Sequence, residues 1–125
     1  MSKFTINPIA KAMSQSVADL KAADEWFEEK IAEGFTSETA EITLGLSESD
    51  VTLLTGNFVL AKEADELELD IPPIIGSDGT VKQLTMPQLS ALMLEYGSYR
   101  ATLSAQYAQK RVDAQYEPPQ YETTE

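Results

Sequence analysis

At 125 residues and 42% hydrophobic content, the chain has the size of one domain with a modest core. Lys and Arg number 9 against 21 Asp and Glu, a formal charge of -12, so phosphate backbones and anionic membrane surfaces repel it and no nucleic-acid partner is expected. With no Cys and no His, thiolate nucleophiles, disulfides, Cys/His zinc sites and His-based triads are ruled out.

The first residues, Met1 to Pro8, lack the basic stretch and apolar core of a secretory signal. No window approaches the roughly 18 apolar residues of a membrane span, so no membrane insertion is expected and synthesis is placed in the cytoplasm. Asn7-Pro8 reads as a helix start, with Asn as cap and Pro at a position whose missing N–H is not needed. Ile9, Met13, Val17, Leu20, Phe27 and Ile31 then recur at spacings of three, four or seven, one stripe of a helix that only Asp24 interrupts. Gly34 closes it, which predicts a helix over Pro8 to Glu33. The mean spacing is close to that of helices that wrap around one another, so the stripe serves either a helix-helix contact between chains or the core of this chain.

Glu41-Ile42-Thr43-Leu44 predicts a brief strand or an extended loop. Ser47-Glu48-Ser49-Asp50 resembles a capping box, and Val51, Leu54, Phe58 and Ala61 follow at helical spacing, so a second helix is predicted from Glu48 to about Ala64. Gly56 lies within it at a cost of about 1 kcal/mol relative to Ala unless a close helix contact needs the missing side chain. Leu67, Leu69 and Ile71 alternate with Glu66, Glu68 and Asp70 and predict a strand. Beyond Pro72-Pro73 and the turn Gly76-Ser77-Asp78-Gly79, Thr80 to Leu84 predicts its partner, which makes a β-hairpin. Thr85-Met86-Pro87-Gln88 is a second capping signature, and Leu89, Leu92, Tyr96, Tyr99, Leu103 and Tyr107 carry a long final helix from Met86 to about Ala114. Gln115 to Glu125 are polar, acidic and without periodicity, and are expected to be a disordered tail. The predicted fold is α+β and mostly helical, divided into an N-terminal helix (1–34), a small α+β domain (35–114) and the tail (115–125).

Few motifs carry chemistry. Glu63, Asp65, Glu66, Glu68 and Asp70 lack the spacing of a calcium loop and read as a solvated face, and neither a dinucleotide fingerprint nor a phosphate loop is present. No catalytic residue, metal or cofactor is therefore expected. Tyr96, Tyr99 and Tyr107 on one helical stripe are core or interface residues, and tyrosine favours protein contacts. Pro118-Pro119-Gln120-Tyr121 matches the Pro-Pro-x-Tyr pattern bound as a polyproline segment, but reads as tail. The charge is uneven, about -8 over residues 35–85 and about +2 over 86–112.

The order Gly34-Phe35-Thr36, Leu54-Thr55-Gly56-Asn57-Phe58-Val59-Leu60-Ala61, Gly76-Ser77-Asp78-Gly79-Thr80-Val81-Lys82-Gln83-Leu84-Thr85, Gln88-Leu89-Ser90-Ala91-Leu92 and a helix ending near Lys110-Arg111 resembles an uncharacterised domain family of tailed phages and prophages. The resemblance spans Ile31 to Arg111. It departs at Ile71-Pro72-Pro73-Ile74, where many such domains have an aromatic residue, which puts in doubt any surface shared through that residue. What the resemblance implies is company with tail and tail-fibre proteins: a non-enzymatic virion component of the tail, made in the host cytoplasm and acting by protein packing. It leaves open an assembly chaperone absent from the particle, and the net charge leaves open an acidic inhibitor of a host protein. A homo-oligomer or a tail-fibre partner is expected, with Met13, Val17, Leu20, Phe27, Ile31, Tyr96, Tyr99 and Tyr107 as contact residues.

Overall fold

The computed structural model describes residues 8–116. Asn7 as a cap, the disorder expected after Tyr116 and the Pro118 to Tyr121 segment lie outside the described residues. The first helix, α1, runs from Pro8 to Glu33 as its periodicity predicts. Gly34 takes the left-handed conformation at φ 77° and donates its N–H to the Ile31 carbonyl, which frees the chain to turn at once into β1 (Phe35–Ser37).

The brief strand expected at Ile42–Leu44 is β2, and it is paired. It lies antiparallel to β1, with Phe35 opposite Leu44 and Ser37 opposite Ile42, so a first hairpin stands where at most one strand was expected. Those four side chains are buried on one face, while Thr36 and Thr43 share a 3.0 Å hydroxyl contact on the other. The Ser37 hydroxyl closes the turn by accepting the Ala40 N–H and donates to Glu95 Oε2.

Helix α2 (Glu48–Glu66) opens with the expected box: the Ser47 hydroxyl accepts the Asp50 N–H, and Asp50 Oδ2 accepts the Ser47 N–H. Residues 67–71 correct the sequence reading, because they are not a strand. The Glu68 N–H donates to Asp65 and the Leu69 N–H to Ala64, with Glu68 left-handed at φ 58°, so this stretch serves as the C-terminal closure of α2. The second hairpin shrinks to β3 (Ile74–Ile75) and β4 (Val81–Lys82) around the Gly79 turn. It abuts the first hairpin through the Ser77 N–H, donated to the Thr43 carbonyl.

Helix α3 (Met86–Ala114) starts from the predicted Thr85–Gln88 box. Its inward stripe of Leu89, Leu92, Tyr96 and Leu103 meets Phe35, Ile42, Leu44, Leu46, Leu54 and Ile74 in one core. Phe27 and Ile31 of α1 pack against the same cluster, so α1 is built into the body of residues 35–114 and does not stand apart from it.

Candidate protein-contact surfaces

The eight candidate contact residues fall into two groups. Tyr96 is a core residue: it is buried, and its hydroxyl donates to the Gly45 carbonyl at 2.6 Å, anchoring the link between β2 and α2. Burial, with the Asp50 charge adding to it and Arg100 opposing, holds its phenol above the ordinary tyrosine range. Tyr99 tilts against the Phe35 ring at 5.1 Å between centroids. Tyr107 stacks flat on Phe27, with centroids 4.3 Å apart and planes within 7°. With Ile31 also against the core, the expectation that these residues face a partner is corrected for Tyr96, which has no exposed face to offer.

Together these contacts define how α1 meets α3. The Ser16 hydroxyl donates to the Ala114 carbonyl, Asp24 pairs with Arg111, and Phe27 meets both Tyr107 and, at 5.4 Å, the Arg100 guanidinium. Rising residue numbers in one helix meet falling numbers in the other, so the two run antiparallel. The apparent defect in the α1 stripe is the polar centre of this seam. Asp24 Oδ1 accepts both the Tyr107 hydroxyl and an Arg111 N–H, each at 2.5 Å. The Tyr107 bond first and the guanidinium second hold the Asp24 carboxyl below its ordinary range, and the same contacts raise Tyr107 and Arg111. Beside it Lys110 lies 4.8 Å over the Trp26 ring. Sequence spacing could not find these pairings, since Asp24 and Arg111 are 87 positions apart. The only trace was a carboxylate standing on an apolar face.

The second group is the opposite end of the same stripe. Ala114 is the last residue of α3 and lies opposite Ser16, so residues 8–15 extend past the end of α3 by about 12 Å at the helical rise. The apolar face does not stop there: Met13, within this projection, is 51% exposed, while Val17, just inside the overlap, is 68% exposed and Leu20 is half-buried. Against the seam lies a shallow depression of about 430 Å³ lined by Ala23, Trp26, Lys110 and Ala114.

Among the described residues, no group of three or more carboxylates is placed to hold a metal ion, and no helix is long and apolar enough to cross a membrane. The acidic run from Glu63 to Asp70 is spread over the end of α2 and its closure. Comparison with protein-family models, with curated proteins and with solved structures finds no match to the chain.

Proposed function

We propose that this chain is a non-enzymatic structural component that acts by packing against other protein, either copies of itself or a tail or tail-fibre protein. The observation that supports it is the continuation of the α1 apolar face past the end of α3. Phe27 and Ile31 are engaged within the chain, Met13 carries the same stripe past the end of α3 into solvent, and Val17 stands exposed beside it. Exposed apolar side chains in register with a packed helix face form a ready continuation of a helix-helix contact. The association with phage tails rests on the sequence resemblance over Ile31 to Arg111.

The test is the solution mass of the full chain and of the double variant Met13→Asp, Val17→Asp, measured by light scattering over a range of concentrations. The wild type is expected to be a multimer and the variant a monomer with unchanged circular dichroism, because exposed substitutions alter stability by only about 0.5 kcal/mol. A variant that keeps the wild-type multimer would remove α1 as the contact element. Mass spectrometry of purified particles then separates a resident component, which is present, from an assembly chaperone, which is not.

A further inference from the structure

Helix α2 has two apolar faces, and the core uses one of them. Leu54, Phe58 and Ala61 turn inward. Leu53, Gly56, Leu60 and the C-capping Leu67 recur at three, four and seven positions and form a second stripe that faces outward, with Leu53 66% exposed. Next to its first half a groove of about 390 Å³ opens between α2 and β3. Buried Leu44, Leu54 and Ile74 form its floor, while Leu53 and Ile75, the latter 65% exposed, stand as its walls.

Gly56 marks the same face. No atom lies within 4 Å of the place a Cβ would occupy, so no close contact inside the described chain requires this glycine. A glycine in a helix interior costs about 1 kcal/mol relative to alanine. Here it leaves a notch in the stripe between Leu53 and Leu60 where a second backbone can approach.

Charge decides what the visitor is. From Glu48 to Asp70 there are seven carboxylates against the single cation Lys62. The ion pairs among the described residues are Lys21–Glu25, Lys30–Glu33, Lys82–Glu41 and Arg111–Asp24, and none includes any of the seven. Arg100 is held by the Leu46 carbonyl and Lys110 by Trp26, and a second copy brings the same net charge of -12, so it meets this acidic face with a repulsion that a basic partner does not. Strand β3 has only two residues and is too short to template an added strand, whereas a helix can lay side chains into a groove from successive turns.

The geometry points to this face as the docking site for an amphipathic helix of a different protein, its apolar side in the groove between Leu53 and Ile75 and its flanking Lys or Arg residues against the α2 carboxylates. The surface is separate from the projecting end of α1, and either can fail without the other. The probe is a fluorescein-labelled peptide of about 14 Leu and Lys residues arranged as four amphipathic turns, with a Leu and Glu counterpart. Both are titrated against the full chain by fluorescence anisotropy. The Leu/Lys peptide is expected to bind, roughly tenfold more weakly to Leu53→Asp and to Gly56→Leu, and the Leu/Glu peptide not to bind. Leu53→Asp adds a carboxylate, so attraction by charge alone would tighten binding, and weakening is the signature of the groove. Absence of Leu/Lys binding, equal affinity for the variants, or tighter binding to Leu53→Asp overturns the proposal. So does a concentration-dependent mass that Gly56→Leu abolishes, which would assign the face to a second copy. Circular dichroism of both variants confirms that the helices are intact.

Discussion

Asp24 shows how one side chain can be a flaw by sequence and a joint by structure. On a helical wheel it interrupts an apolar stripe, yet its Oδ1 gathers the Tyr107 hydroxyl and the Arg111 guanidinium from the far end of the chain. Its folded-state pKa is depressed, chiefly by the Tyr107 hydrogen bond and then by Arg111. A depressed carboxyl contributes stability above its unfolded value of about 3.9, and that contribution is lost as pH falls through the lower folded value. Asp24→Asn is therefore expected to lower the melting temperature at neutral pH, with the gap to wild type closing in the acid range below about pH 4. Melting curves from neutral to acid pH check this. A gap that stays constant to the acid end would mean that the carboxylate charge contributes nothing.

Elements with strong local signals were legible, and those whose cause is tertiary were not. Both capping boxes put complementary side chains three residues apart, and α1 and α3 each carry more than seven turns of periodic apolar residues, so their bounds could be read directly. The first hairpin was hidden because its strands have three residues each, and the turn between them places Glu41 in the left-handed region at φ 54°, where glycine or asparagine would have announced it. Residues 67–71 misled for the converse reason. Their alternation imitates a strand, but Leu67 is 71% exposed and Glu68, not glycine, takes the left-handed position of the α2 closure. In the contact surfaces, the end of the α1 stripe was readable while its seam partners, which lie more than 80 positions away, were not. Helix α2 thus holds a glycine where the backbone is helical and lacks one where it is left-handed. Gly56→Ala is expected to stabilise by about 1 kcal/mol. Glu68→Gly is expected to stabilise by less, since relief of about 1–2 kcal/mol of left-handed strain is partly offset by a more disordered unfolded chain. Thermal unfolding of each variant should show a rise of a few degrees. A fall for Gly56→Ala would mean that the helix surface is already occupied at that point.

For the molecule as a whole, carboxylates outnumber cations by 21 to 9, and among the described residues most acids have no ion-pair partner. The four ion pairs of the described residues consume cations that were scarce to begin with. Self-repulsion then outweighs exposed pairing, which is worth little in water. Raising salt from about 0.01 M to about 0.15 M shortens the screening length from about 30 Å to about 8 Å and is expected to raise the melting temperature. A fall over that range would show that the seam pair Arg111–Asp24 dominates. The antiparallel seam also has a consequence in time. The seam contacts that hold α1 come from α3, the last helix to be made, because Ser16 waits for Ala114 and Phe27 for Tyr107. At a synthesis rate of about 5–20 residues per second, the nascent helix stays uncovered for about 4–16 seconds. During that interval the seam face of α1 is open to neighbouring nascent chains or to a partner, and only afterwards does α3 cover it.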